Sequence, residues 1–208
     1  MKVAIKTWMI FLTFFGVIIL QKECEAQRKD VIPENYIIYK DLDNRSYKLE
    51  EDLDGDEIPD RVIVYTKKDS EFDKIVAVYL STAARNGNTF YSFPFSALSY
   101  DLKFNNKVFT ISACFGNGRY CKTLKFKYYP TIRNFRLIGY EEESFGNAMH
   151  DGAYLKSVNL LTNKYEISGP KWKKKIIRKL TLHLVSLEKL NDKEFEYLES
   201  IGSQYSQS

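Results

Sequence analysis

Four aspartates within nine residues carry the strongest chemical signal in the chain. The segment DLDGDEIPD places Asp52, Asp54, Asp56 and Asp60 at positions 1, 3, 5 and 9 of a loop, and a strand-like run, RVIVY, follows at once. Hard cations take several oxygen ligands at about 2.3–2.6 Å, and alternating aspartates on a tight turn deliver them. The carbonyl of Ile58, at position 7, adds one more oxygen. Electrostatics point the same way. Carboxylates about 5 Å apart repel by roughly 3 kcal/mol per pair at an effective dielectric near 20, and Glu57 adds further negative charge. The expected ligand is Ca²⁺, held by Asp52, Asp54, Asp56, Ile58 and Asp60 as a structural clip. The competing reading is an ordinary polar turn with solvated acids.

The same residues resemble a known pattern. DLDGDEIPD followed by RVIVY is similar to the D-x-D-x-D-G-x-x-D loops of the integrin-type (FG-GAP or VCBS) calcium repeats of secreted proteins. The resemblance implies a loop that binds Ca²⁺ between two strands, with Asp52, Asp54, Asp56 and Asp60 at the ligand positions. It covers residues 52–66 of 208 in a single copy, so it does not imply a whole β-propeller. One position departs. The pattern has Gly at position 6, where this chain has Glu57. A left-handed backbone there costs a non-glycine residue about 1 kcal/mol or more, and Gly55 relieves part of it. Ile63 stands at position 12, where an EF-hand needs a bidentate Glu.

The chain holds 3 Cys. Cys24 falls in the N-terminal leader, leaving Cys114 and Cys121 in ISACFGNGRYC. Gly116, Asn117 and Gly118 are suited to positive φ and mark a hairpin turn between two strand-like runs. A hairpin brings the two cysteines opposite each other, and in an oxidising compartment such a pair forms a disulfide. The loop it closes is worth about 2.5 kcal/mol in the chain-entropy description. A catalytic cysteine is the rival, and no activating base lies nearby in sequence.

Other polar groupings are weaker. Asp41 and Asp43, in YKDLDNRS, make a second acid pair or a polar turn, and Asn44-Arg45-Ser46 is a formal glycosylation sequon. His150 and Asp151 lie in FGNAMHDG without a nucleophile elbow and read as a polar loop. His183, in TLHLV, reads as a strand residue, and two distant histidines do not make a zinc site. KWKKKIIRK, Lys171 to Lys179, is a solvated edge strand or a polyanion patch. FYSFPFSALSY, Phe90 to Tyr100, is core packing or an exposed glycan or partner surface.

These residues need a scaffold, and the pattern specifies one. The chain has 15 Tyr and 14 Phe but only 10 Gly and 5 Pro, a composition that favours sheet. Strand-like runs recur at Asp60–Thr66, Lys74–Ser81, Lys107–Ala113, Tyr120–Tyr128, Asn134–Tyr140 and Tyr154–Leu161. Turn signals separate them at Arg85–Asn88, Asn105–Asn106, Phe115–Gly118 and Thr162–Asn163. Connections this short allow only antiparallel neighbours. The expected fold is mainly β, an antiparallel sandwich or open barrel. A short terminal helix over Asp192–Ile201 closes it, with Asn191 as N-cap and Glu194 as the capping-box partner.

The first residues read as an address. Two lysines precede an apolar run of 14 residues, TWMIFLTFFGVIIL, short of the about 20 that span a bilayer. Cys24 and Ala26 suit the −3 and −1 positions of a signal-peptide cleavage site. The domain reading is therefore a signal peptide over 1–26 and a single β-rich domain over 27–208. A lipoprotein acylated at Cys24 and an uncleaved anchor are the rivals. Cleavage removes Lys2, Lys6 and Lys22 with Glu23 and Glu25, so the formal charge falls from +4 to +3. A charge that small implies no long-range attraction to nucleic acid. The function expected is a monomeric, non-enzymatic binding module, secreted or in the periplasm or cell envelope. Its partner would be a protein or glycan, with no membrane span left after cleavage. A secreted hydrolase of glycan or peptide and an inhibitor or immunity-type protein are the alternatives. Mass spectrometry of the exported protein is expected to find Gln27 as the first residue; a lipid on Cys24 would refute this.

Overall fold

The apolar run that follows the acidic loop, DRVIVYT, becomes the centre of the smaller of two antiparallel sheets. The computed structural model describes residues 32–81, 90–116 and 118–206. The leader readings and the Arg85–Asn88 turn lie outside these residues. Residues from Asn35 onward form one compact unit, separate from those up to Glu34.

The first sheet has five strands: β1 (Tyr36–Ile38), β2 (Lys48–Glu51), β3 (Asp60–Lys67), β4 (Ser70–Tyr79) and β5 (Phe90–Pro94). The order is β1-β3-β4-β5, and β1 and β2 lie end to end along one edge of β3. β3 is buried on both faces, which is why it reads as a continuous apolar run. Val62 and Val64 face the other sheet, while Ile63 and Tyr65 form a small outer cluster with Ala77.

The second sheet has eight strands: β6 (Ser99–Asn105), β7 (Val108–Phe115), β8 (Tyr120–Tyr129), β9 (Asn134–Phe145), β10 (Ala153–Asn159), β11 (Lys164–Ser168), β12 (Ile176–Lys179) and β13 (Val185–Ser186). β6 to β12 follow one another as neighbours, and β13 returns to pair with β9 beside Arg136 and Leu137. The turn between β6 and β7 places Asn106 and Lys107 at positive φ, the geometry a two-residue hairpin loop requires. Every pairing is antiparallel, and among the described residues no sheet closes on itself. The fold is a β-sandwich.

Its core joins Val62, Val64, Val76 and Val78 of the small sheet to Phe109, Ile111, Leu124, Phe126 and Tyr140 of the large one. In LKFKY, Leu124 and Phe126 are buried while Lys127 is exposed, the alternation of a sheet with one wet face. Lys125, on the outer face, donates to Glu141 at 2.8 Å. Phe93, Phe95 and Tyr100 are buried, so these rings of the aromatic stretch pack in the core. The lysine-rich segment leads into β12, the exposed edge of the large sheet, and Lys175 pairs with Glu166.

The helix α1 (Asp192–Ser200) starts where its cap predicts, and a single turn, α2 (Ser203–Ser206), follows it. Asn191 accepts from the Glu194 N–H at 3.2 Å. The reciprocal half of the capping box is replaced by another contact, because the Glu194 carboxylate meets His183 Nε2 at 3.1 Å. His183 is also not a strand residue. It precedes β13 and stacks on Tyr197, with ring centroids 3.8 Å apart. Tertiary contact with α1 outweighs its strand-like neighbours.

The β7–β8 register sets Cys114 directly opposite Cys121, with Cα atoms 4.1 Å apart and the sulfurs at 2.08 Å. Gly116 and Gly118 turn the chain at φ +59° and +78°. The bond lies on the outer face, beside Ser112 and Thr123, whose hydroxyls are 2.8 Å apart. It staples the hairpin without occupying the core. Thiol titration of the native protein is expected to find neither cysteine free. Cys114→Ala/Cys121→Ala is expected to lose about 2–4 kcal/mol of stability in urea unfolding. A loss below about 0.5 kcal/mol would show that the pair does not constrain the unfolded chain.

Candidate metal centre

The acidic loop, residues 52–59, is the connection between β2 and β3. Glu51 at the end of β2 pairs with Asp60 at the start of β3, so the loop closes on its own stem. Its shape is set by aspartates that accept backbone N–H groups. Asp52 Oδ1 accepts from Gly55 at 2.7 Å and Asp56 at 3.1 Å, and Oδ2 accepts from Glu57 at 3.0 Å. Asp54 Oδ1 accepts from Asp56 at 3.1 Å, and Asp56 Oδ1 from Ile58 at 2.9 Å. Such Asx turns satisfy the backbone of a segment too tightly wound for a ladder.

Two residues take left-handed backbone, Gly55 at φ +87° and Glu57 at φ +66°. The position at which the calcium-repeat pattern carries Gly is thus left-handed here, although the side chain is Glu. Glu57 is exposed, so its carboxylate stays in water while the backbone strain is held by the Asp52 bond.

Asp60 anchors the loop from below. It is 1% exposed. Its Oδ2 accepts from the Leu53 N–H at 2.9 Å and its Oδ1 from the Ser81 N–H at 2.7 Å. One carboxylate thereby ties the start of the loop, the start of β3 and Ser81, two residues past the end of β4. Asp52, Asp54 and Asp60 each bring a carboxylate oxygen to within 4.8 Å of the others. At that separation each pair repels by about 3 kcal/mol at an effective dielectric near 20. Burial, reinforced by the charge of Asp54, pushes the Asp60 carboxyl up to about 6, against the two N–H bonds that favour its charged form. The donor set is all oxygen and anionic, which suits a hard cation and offers nothing to a thiophilic one. This group could hold a metal ion.

Of the five expected ligands, the structure gathers Asp52, Asp54 and Asp60. Asp56 turns toward Ser81, whose hydroxyl lies 3.3 and 3.4 Å from its two carboxylate oxygens. The Ile58 carbonyl stands on the same hydroxyl at 3.4 Å. Ser81 was not legible as part of the site. It reads as the last residue of a strand, and only the β3–β4 register, with Arg61 opposite Tyr79, brings it beside Asp60.

The other polar groupings form no comparable cluster among the described residues. Asp41 is a turn residue: it accepts from the Asp43 and Arg45 N–H groups and from Tyr47 Oη, and it pairs with the Arg45 guanidinium at 2.9 Å. Those bonds hold its carboxyl below the usual range. Asp151 accepts from the Asn147 amide at 3.1 Å, and His150 sits exposed at φ +61° in the same turn. No family model, curated protein or solved structure matches the chain.

The raised Asp60 pKa has a definite sign. Without a cation the folded protein holds this proton more tightly than the unfolded chain does. The stability it contributes is full below about pH 4 and is lost as pH rises through about 6. A cation competes for the same oxygens. Calorimetric titration with Ca²⁺ at pH 7, 6 and 5 is expected to show affinity falling by roughly tenfold from pH 7 to 5, most of it below pH 6. Affinity unchanged from pH 7 to 5 would place the ion away from Asp60.

Proposed function

We propose that the chain is an exported, non-enzymatic β-sandwich binding module in which the β2–β3 loop takes Ca²⁺ as a structural clip. The observation that carries this reading is the convergence of Asp52, Asp54 and Asp60 within 4.8 Å on a hairpin loop that runs directly into the buried strand β3. Ca²⁺ tolerates irregular all-oxygen coordination, whereas Mg²⁺ demands near-octahedral geometry and keeps its waters. The loop's resemblance to integrin-type calcium repeats supports the same ion. Asp56, the Ile58 carbonyl and water are the further oxygens within the loop.

A clip fits better than a sensor. The N–H groups that Asp52 and Asp60 accept from belong to the loop itself and to Ser81. An ion there reinforces contacts already made, and its effect is on the stability of the β2–β3–β4 unit. Export is supported by the signal-like leader and by the bonded pair Cys114–Cys121, which an oxidising compartment preserves. The partner in this reading is a protein or glycan, met by a monomer.

Thermal unfolding tests the clip. With Ca²⁺ about 100-fold above its Kd, the gain is about 2.7 kcal/mol. For a domain of this size that raises Tm by roughly 5–10 °C over the EDTA-treated protein. Asp52→Asn/Asp54→Asn is expected to abolish the shift. No change in Tm with millimolar Ca²⁺ would remove the clip.

A further inference from the structure

A second polar site lies in the large sheet, far in sequence from the acidic loop. A cavity of about 520 Å³ opens between β9, β10 and β11 and the C-terminal end of α1. That volume falls within the range of about 300–1,000 Å³ typical of small-molecule sites. Its floor is charged. Glu142 and Lys156 face each other across β9 and β10, with side chains only 7% and 5% exposed. Glu142 Oε1 accepts from Tyr140 Oη at 2.6 Å and from Lys156 Nζ at 3.3 Å, and Oε2 accepts from Tyr154 Oη at 3.5 Å. Lys156 also donates to the Leu198 and Glu199 carbonyls at 3.0 and 2.8 Å, in the last turn of α1. Those carbonyls have no partner within the helix, so Lys156 is fixed in place by capping them.

Trp172 forms one wall, and its indole N–H is buried without a hydrogen-bond partner. Buried donors are rarely left unpaired, because each forfeits its bond to water. Tyr154 and Tyr165 supply further aromatic lining. The charges at the floor cancel. Glu142 pairs with Lys156, and Glu199 with Lys122. Lys171 stands at the exposed rim, 5.8 Å from the centre of the Trp172 ring. An ion entering this floor would lose its hydration and find each opposite charge already taken.

A hydroxyl meets different terms. It donates to a carboxylate and accepts from an indole N–H with the same oxygen. We propose that this cavity binds a neutral, hydroxyl-rich ligand with one apolar face, a pyranose unit of a glycan. The apolar face lies on the aromatic wall, a hydroxyl donates to Glu142 Oε2, whose one bond is the long one from Tyr154, and one ring or hydroxyl oxygen accepts from the Trp172 indole. The assignment rests on the binding-module reading above and not on the calcium clip, which occupies a different loop.

The test uses the full chain with Trp8→Phe, in which Trp172 is the sole indole. Cellobiose, chitobiose and galactose are titrated against its fluorescence, with glucuronate and glucosamine as charged counterparts. At least one neutral sugar is expected to shift the emission saturably, with Kd of about 1 mM or tighter. Trp172→Phe keeps an aromatic face and removes the N–H; calorimetry is expected to show the same sugar bound about tenfold more weakly. Glu142→Gln is expected to weaken it as well, and should that variant not fold, Trp172→Phe decides. No shift with any neutral sugar up to about 50 mM, binding of the charged sugars alone, or wild-type affinity in Trp172→Phe would overturn the site. Tm is followed with Ca²⁺ in the same preparations. A calcium shift without sugar binding overturns the glycan site alone, and the reverse overturns the clip alone.

Discussion

A sheet of eight strands packed on a sheet of five leaves apolar surface that the smaller sheet cannot cover. The rest of the structure answers that mismatch. Opposite β10 and β11 the inner face still carries Val158, Tyr165 and Ile167, all buried. Leu198 and Ile201 join the same cluster from α1 and the residue after it, and Phe195 stacks on Phe95 with ring centroids 5.4 Å apart. Gly202 lies so close to the Tyr165 ring that a side chain there would collide with it. The C-terminal segment is thus a lid made of sequence-distant residues. It needs an anchor at its polar end as well as its apolar one, and Lys156 provides it by capping α1 from the sheet.

The small sheet carries a different tension. β3 is buried on both faces, and its first residue is an aspartate with almost no exposure. Burial of a carboxylate is costly unless its oxygens are bonded, and Asp60 recovers part of that cost from the Leu53 and Ser81 N–H groups. Asp52 and Asp54 then bring more negative charge to the same place. The bonds that Asp52 and Asp60 accept come from backbone N–H groups, which are dipoles and not cations. A bound divalent ion is the simplest remedy, and the stem of β2 and β3 would hold it in place.

How much of this could be read from the sequence varied with the range of the contacts involved. Short turns forced antiparallel strands, and RVIVY, TLKFKY and the Cys114–Cys121 hairpin all formed near their expected bounds. The Asp spacing located the loop, because Asx turns are built from residues two to five apart. Longer-range facts were out of reach. Ser81 joins the site only through strand register, and Glu194 leaves its capping role for His183 because α1 packs beside residues eleven positions earlier. The floor of the cavity was missed altogether. Its one local signal was a lysine at an inward position, since Tyr154, Lys156 and Val158 share a face of β10. A charge among inward residues reads as an interruption of the pattern until the opposite strand supplies Glu142.

The two polar sites differ in a way that decides what each can accept. At the loop, three carboxylates converge within 4.8 Å, an all-oxygen anionic set that a hard cation complements. At the sheet, Glu142 and Lys156 are equally buried and directly paired, so the field is that of a dipole. A buried pair of this kind is not an efficient source of stability, since apolar residues of the same volume often do as well. Apolar residues there would also leave the last carbonyls of α1 without a donor and close the polar end of the cavity. The pair therefore does two things at once: it fastens the lid to the sheet, and it leaves beside that fastening a carboxylate oxygen able to accept a hydrogen bond without demanding a charged ligand.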